Sequence, residues 1–266
     1  MKRGYVDVPE GQVHYREEGL GEVIILLHMA SSSGNEFSRI IPYLSGKYRA
    51  IAIDLLGFGE SDKPPRKYSI EDHTRTVFQV MDALKIEKAT PVGGHAGAKI
   101  GLEMAVTNPD RVEKLIMFGL SFLSTEKDFK DYEIWRSDPA FQPVELHPDG
   151  SHLMEWWRRS ARYGDSMEVA DEKALDFHKA GPRGEELHEA AFSYTFRVNV
   201  KLPLVKAPTL LIAAEKDRHA KEQIEAQKLL RRSRVVHIKN AGVFMARAMP
   251  KEYAETILNF MEKPGV

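Results

Sequence analysis

The stretch 90–105 constrains the fold of this chain more than any other. It begins with a short apolar run, passes through a glycine-rich turn at 93–97, and continues as an apolar helical segment through Ile100 and Leu102. An apolar run, a glycine-rich turn and a helix in this order predict a strand that bends sharply into a helix. Ligands bind at the carboxyl ends of such strands, so this turn is the first candidate for a functional site.

Short apolar runs of the same kind recur along the chain and predict a parallel sheet. They are bounded by Gly, Asp or Pro, which is typical of strands that are buried on both faces. The predicted strands cover 23–27, 48–53, 88–92, 114–118, 209–213 and 234–238. Before them, the stretch 5–17 alternates in polarity around Gly11, which predicts an antiparallel hairpin.

Helical periodicity lies between these runs and indicates the fold class. It covers 70–84, 221–230 and 250–261, and Pro250 suits the first turn of the last helix. Strands that alternate with helices predict an α/β fold with a mostly parallel, doubly wound sheet. Residues 122–203 break the alternation. They are rich in Trp, His and charged residues, and they are predicted to be helical with interruptions at prolines.

Composition excludes several classes of function. The 266 residues suit one large domain with an insertion. The 38 basic and 39 acidic residues give a net charge of -1, and no block carries a dominant sign. We therefore expect neither nucleic acid nor a membrane surface as a partner, but a small-molecule substrate or ligand, bound by a monomer or homodimer.

The absence of cysteine and the dispersion of histidine limit the chemistry further. With no cysteine, the chain has no disulfide, thiol nucleophile or thiolate-bound metal. The ten histidines follow no His-Glu-x-x-His pattern, and no Gly-x-Gly-x-x-Gly opens the first helix, so no metal and no cofactor is predicted. Neither a signal peptide nor a membrane-spanning run is evident, which predicts a cytoplasmic protein.

Several ordered motifs, spread over about residues 5–261, resemble those of the alpha/beta-hydrolase superfamily. His28 resembles the start of the family's His-Gly motif, and residues 54–62 resemble its Asp-x-x-Gly-x-Gly-x-Ser-Asp turn. The turn at 93–98 resembles the nucleophile elbow, normally Gly-x-Ser-x-Gly. Residues 214–217 and 240–244 resemble the loops that supply the acid and the histidine. The resemblance implies an alpha/beta-hydrolase core over 1–121 and 204–266, with a helical cap over 122–203.

The residues that carry the family's chemistry are replaced. In the catalytic triad a serine attacks, a histidine moves the proton and a carboxylate orients the histidine. Aligned with the elbow motif, this chain has Ala96 at the nucleophile position and Ala98 at the last glycine. Val243 stands at the histidine position and Met29 at the glycine of the His-Gly motif. Of the triad, only the acid, Asp217, remains.

The remaining polar groups predict a site without a nucleophile. Partial burial would raise the pKa of Asp217 and make it a usable base; the alternative is a relic carboxylate that is hydrogen-bonded to nearby backbone amides. His219, two residues on, is a second candidate for acid and base work. By resemblance, the oxyanion hole consists of the backbone N–H groups of Ala30 and Gly97. Lys99 is expected to be solvated. The candidate substrate contacts are His28, Met29, His95, Ser121, Trp156 and Phe244.

These features favour an enzyme that acts on a small organic substrate by cofactor-free, non-covalent chemistry of the lyase, decarboxylase or isomerase type. Two alternatives remain open. One is a ligand-binding pseudoenzyme, because Met29, Ala96 and Val243 make the floor of the pocket apolar. The other is an engineered ester or lactone hydrolase, in which Ala96→Ser with Val243→His would restore cleavage.

Overall fold

A mostly parallel sheet forms the centre of the computed structural model, which describes residues 1–122, 130, 137, 144–163 and 166–265. In these residues the sheet has eight strands in the order β1-β2-β4-β3-β5-β6-β7-β8. The hairpin strands β1 and β2 are antiparallel to their neighbours, and β3 to β8 are mutually parallel. The strands are β1 Lys2–Val8, β2 Gly11–Glu18, β3 Val23–Leu27, β4 Arg49–Ile53, β5 Thr90–Gly94, β6 Leu115–Phe118, β7 Thr209–Ala214 and β8 Ser233–Ile238. The predicted fold class is confirmed.

Helices flank the sheet and follow the strands along the chain. They are α1 Ile41–Leu44, α2 Ile70–Ala83, α3 Ala96–Thr107, α4 Ser151–Tyr163, α5 Met167–Ala180, α6 Pro182–Lys201, α7 Ala220–Leu229, α8 Met245–Ala248 and α9 Pro250–Glu262. The three predicted helices correspond to α2, α7 and α9. None of the helices in the described residues is long and apolar enough to cross a bilayer.

The core lies on both faces of the sheet, which is why the strands are continuously apolar. Successive side chains of a strand point to opposite faces. In β3, Ile25 and Leu27 belong to one buried cluster, whereas Ile24 and Leu26 belong to the other. A strand that is covered by helices on both faces has no solvent side, so polar residues are absent from its interior.

Buried polar contacts join α5 and α6 to the sheet domain. Arg247 of α8 is 1% exposed and pairs with Asp176 and Glu172 of α5. Glu103 of α3 accepts a hydrogen bond of 2.6 Å from the hydroxyl of Tyr194 in α6. Pairing of this kind is what makes buried charges tolerable. The boundaries of core and cap stay a prediction, because parts of 122–203 lie outside the described residues.

Candidate active site

The turn between β5 and α3 holds His95 in a strained backbone conformation. Its φ is 52° and its ψ is -109°, a region that non-glycine residues rarely adopt and that costs on the order of 1–3 kcal/mol. The amide of His95 donates a hydrogen bond of 3.0 Å to the carbonyl of Phe118, which ties the turn to β6. His95 is therefore the residue at the tip of the elbow.

The glycines on either side confirm this register. A Cβ on Gly97 would lie 2.0 Å from the carbonyl oxygen of Leu27, and one on Gly93 would lie 2.3 Å from the carbonyl carbon of Gly97. The elbow is thus Gly93-x-His95-x-Gly97, with both glycines present. The assignment of Ala96 to the nucleophile position and of Ala98 to the last glycine was wrong by one residue. Because Gly93 and Gly94 are adjacent, the sequence allows the elbow motif to start at either glycine, which places either His95 or Ala96 at the nucleophile position.

His95 and Asp217 form a close pair in the site. Nε2 of His95 lies 2.9 Å from Oδ2 of Asp217, which is 4% exposed on the loop after β7. The distance is that of an ion pair, but the two groups are not aligned as a hydrogen bond, and neither atom has another aligned partner among the described residues. With Nε2 turned to Asp217, Nδ1 is the ring nitrogen available to a molecule in the site.

The environment of Asp217 makes it an anion rather than a base. Burial by itself would raise its pKa, but His95 and His219 outweigh burial and lower the pKa of Asp217 to about 2. The backbone N–H of His219 also donates to Oδ1 of Asp217 at 2.9 Å. The expectation that burial makes Asp217 a usable base was therefore wrong. At neutral pH its carboxylate is suited to orienting the His95 ring.

His219 lies beside His95 in the site. The two ring centroids are 5.8 Å apart, edge to face. Nδ1 of His219 lies 3.0 Å from Oε1 of Glu222, and burial lowers the pKa of His219. His219 is thus a neutral imidazole that shares a wall of the site with His95.

A cavity of about 250 Å³ opens over the elbow. Five of the six predicted contact residues line it, together with Val243: Met29, His95, Ser121, Trp156 and Phe244. Trp156 stacks on Phe177 of α5, with ring centroids 4.6 Å apart. Most of the surface of this lining is apolar, which is the usual character of a small-molecule site.

The sixth predicted contact residue, His28, does not line this cavity. It is 0% exposed, and its Nδ1 donates to the carbonyl of Met29 at 2.8 Å. Its Nε2 accepts a hydrogen bond of 3.1 Å from the amide of Leu55. Both ring nitrogens are therefore engaged with backbone, and His28 holds the loop after β3 in place.

Two backbone amides at the cavity wall are suited to bind a carbonyl oxygen. Ala30 and Ala96 both line the cavity, and in the described part of the chain neither amide has an acceptor. The neighbouring amide of Met29, by contrast, donates to Glu36. Ala96 begins α3, so its N–H lies at the positive end of the helix. Gly97 packs against β3 and does not line the cavity, so the elbow amide that lies at the cavity wall with Ala30 is that of Ala96 rather than the expected Gly97.

Lys99 is buried in the wall of the cavity, contrary to the expectation of a solvated side chain. It is 2% exposed. Its ammonium donates to the hydroxyls of Ser121 and Thr195 at 2.9 and 2.6 Å, and to the carbonyl of Ala191 at 2.7 Å. Burial lowers the pKa of Lys99 to about 7. Among the described residues no carboxylate lies within ion-pair distance of it.

Sequence reasoning missed a second buried lysine, Lys173 of α5. Its ammonium donates to the carbonyl of Ser31 at 2.8 Å and to that of Ala30 at 3.3 Å. Burial lowers its pKa to about 8, although Asp176 partly offsets the shift. Helical spacing places Lys173 on the buried face with Val169. That spacing was the signal available in the sequence.

The low pKa of Lys99 predicts a measurable dependence of stability on pH. The unfolded chain keeps its lysine protonated up to about pH 10.5, whereas the folded protein releases this proton near pH 7. Because the unfolded state then binds more protons, the free energy of unfolding rises with pH, by about 3 kcal/mol between about pH 7 and pH 9.5. Urea unfolding of the wild type and Lys99→Met across this range checks it. The variant lacks this part of the rise, and identical pH profiles would contradict the burial of a charged Lys99.

Comparison of the sequence with known proteins identifies the family of this chain. The family model described as alpha/beta hydrolase fold matches residues 22–245. A haloalkane dehalogenase of Agrobacterium fabrum is 38% identical over 107 residues, which is 40% of this chain and 35% of the dehalogenase. A 2-hydroxy-6-oxo-6-(2'-aminophenyl)hexa-2,4-dienoic acid hydrolase of Metapseudomonas resinovorans is 32% identical over 180 residues, 64% of this chain and 61% of that hydrolase.

The structural comparison agrees over nearly the whole chain. The crystal structure of an enol-lactonase from Burkholderia xenovorans superposes with a TM-score of 0.77 at 20% identity, covering 98% of this chain and 100% of the lactonase. At this identity the likeness establishes the fold alone. The stretches of this chain that match three haloalkane dehalogenases cover only 35%, 48% and 43% of the length of those proteins. On the family model and the shared fold, the chain belongs to the alpha/beta hydrolase fold family.

Proposed function

We propose that this protein is an enzyme that transfers protons on a small carbonyl compound. His95 acts as the base, from the elbow position at which the alpha/beta-hydrolase superfamily normally has its nucleophile. The observation that carries the proposal is the placement of His95. Its strained backbone turns the ring into the cavity, and Nε2 lies 2.9 Å from the ionised Asp217. A base held by a carboxylate, beside two amides without acceptors, suits general base catalysis.

The chemistry follows from the two nitrogens of the ring. Asp217 favours the tautomer whose proton is on Nε2, which leaves the lone pair on Nδ1. Nδ1 takes a proton from the carbon next to a carbonyl group, and the electrons of that C–H bond form an enolate. The amides of Ala30 and Ala96 bind the negative oxygen, and one such donor is typically worth about 3 kcal/mol of transition-state stabilisation.

The enolate then has two outcomes that need no nucleophile and no cofactor. Return of the proton from His95 to a different carbon gives an isomer. Expulsion of a leaving group from the adjacent carbon gives an elimination product, and His95 releases its proton to that group or to water. Val243 lines the cavity but has no group that can take up or release a proton. The proton that His95 takes is therefore returned by His95 itself or passed to the neighbouring His219.

Hydrogen exchange tests this proposal without knowledge of the physiological substrate. The protein is incubated in D₂O with a panel of small ketones, keto acids and lactones, and the loss of C–H signal next to the carbonyl is followed by NMR. We expect saturable exchange above the buffer rate for at least one compound. Asp217→Asn is expected to lower this rate by about a hundredfold, because the ring loses its orienting charge.

Two results would contradict the proposal. One is ester cleavage by the purified protein that survives Asp217→Ala at full rate, since that reaction would bypass the pair. The other is tight binding of panel compounds with neither exchange nor turnover. That result would support the ligand-binding alternative.

A further inference from the structure

The cavity wall contains the buried ammonium of Lys99, which no carboxylate of the described residues balances. The three partners of the Lys99 ammonium are two hydroxyls and a carbonyl, all neutral. A buried charge is unfavourable unless it is paired, and replacing such a group by an apolar one is often stabilising. In the described part of the chain, a counter-charge can reach Lys99 from the cavity, which Lys99 lines.

Most of the remaining charged residues that line the cavity are basic. Lys173 also lines the cavity and lies against the carbonyls of Ala30 and Ser31. The one acidic residue lining the cavity, among those described, is Glu185. The basic lining residues are Lys99, Arg159, Lys173, Lys216 and Arg218. A wall with this balance attracts an anion and disfavours a cation.

Ser121 presents a hydrogen-bond donor to the cavity. Its oxygen accepts from the Lys99 ammonium at 2.9 Å, so its own proton points elsewhere. Thr195, the other hydroxyl partner, donates to the carbonyl of Ala191 at 3.0 Å. In the described residues the Ser121 hydroxyl has no such acceptor, and Ser121 lines the cavity. A ligand oxygen that accepts a hydrogen bond from Ser121 is also attracted by the Lys99 ammonium, which lies 2.9 Å from the serine oxygen.

The Ser121 hydroxyl and the Lys99 ammonium lie close to His95, the proposed base. Lys99 follows His95 by one turn of α3, and its amide donates to the His95 carbonyl at 3.3 Å. One turn corresponds to about 5.4 Å along a helix. Gly119, two residues before Ser121, is so close to the imidazole that a Cβ there would lie 2.5 Å from Nε2 of His95. One small molecule can therefore contact Ser121 and His95 together.

We infer that Lys99 and Ser121 form a carboxylate-binding subsite, and that the substrate is a small keto acid whose carboxylate lies on Ser121 while its carbonyl group faces His95. The naming of a substrate class rests on the proposed function, whereas the subsite itself does not. Ser121 donates to one carboxylate oxygen, and Lys99 supplies the charge. Charge-assisted bonds of this kind are about twice as strong as neutral ones.

Calorimetric titration with matched ligands tests the subsite. The probes are keto acids from pyruvate to 5-oxohexanoate, each paired with its carboxamide, which has a similar shape and no charge. At about pH 6, below the pKa of Lys99, we expect at least one acid to bind at least about tenfold more tightly than its amide. Lys99→Met is expected to reduce this ratio to about one, and Ser121→Ala to reduce it severalfold. Lys88→Met, at an exposed lysine before β5, is the matched control and leaves the ratio unchanged.

The outcomes separate the subsite from the proposed reaction. A wild-type ratio near one, no binding of any acid, or a ratio that persists in Lys99→Met would overturn the subsite. If Lys99→Met does not fold, Ser121→Ala and the loss of acid binding above about pH 7 decide the question, because a deprotonated lysine no longer attracts a carboxylate. His95→Gln is expected to keep the ratio and lose proton exchange. Retention of both in that variant contradicts the reaction alone.

Discussion

Replacing His95 with glutamine is expected to lower the rate of substrate proton exchange by about a thousandfold, within the range that a positioned base contributes. Glutamine keeps a polar side chain at the elbow but has no nitrogen that accepts a proton near neutral pH. The substrate carbonyl still meets the amides of Ala30 and Ala96. We therefore expect a large fall in kcat with little change in KM, measured by NMR in D₂O on the compound that exchanges fastest.

His219→Gln is the control for this experiment. His219 is a half-buried imidazole that lines the same cavity, with its ring centroid 5.8 Å from that of His95. If His95 is the base, His219→Gln lowers the exchange rate by less than about tenfold, the size of an effect on polarity or packing. A larger loss in His219→Gln than in His95→Gln would assign the base to His219 instead.

The second large effect concerns the elbow itself. Gly97→Ala is expected to lower the free energy of unfolding by at least about 3 kcal/mol, the upper part of the range for overpacking. The added methyl group would lie 2.0 Å from the carbonyl oxygen of Leu27. That atom belongs to the backbone of β3, so α3 or the central strand must move. Urea unfolding monitored by circular dichroism measures the change.

Gly101→Ala in the same helix is the matched control. A Cβ there would meet the end of the Leu115 side chain at 3.1 Å, and a side-chain terminus can shift more easily than backbone. Alanine is favoured over glycine inside a helix by about 1 kcal/mol, which offsets the tight contact. We expect Gly101→Ala to stay within about 1 kcal/mol of the wild type. Equal stability of the two variants would argue against the register that places His95 at the tip of the elbow.

The sequence by itself determined the architecture, because burial on both faces of a parallel sheet leaves a local mark. The strand at 23–27 was predicted at its observed bounds, and the other predicted parallel strands differ by at most two residues at either end. The helices at 70–84, 221–230 and 250–261 were likewise predicted to within one residue. Ordered motifs then identified the family. Each of these signals lies within a short stretch of chain and needs no knowledge of distant contacts.

Only the tertiary structure decided the chemistry of the site. The adjacent glycines before His95 allow two registers, and the contact of Gly97 with β3 selects one. The apposition of His95 and Asp217 depends on β5 and β7, which are more than a hundred positions apart in the chain and flank β6 in the sheet. The burial of Lys99 depends on α6, which supplies two of its three hydrogen-bond partners. The elements that pack over a charged side chain determine whether it is solvated or buried. The sequence around that side chain does not show which elements these are.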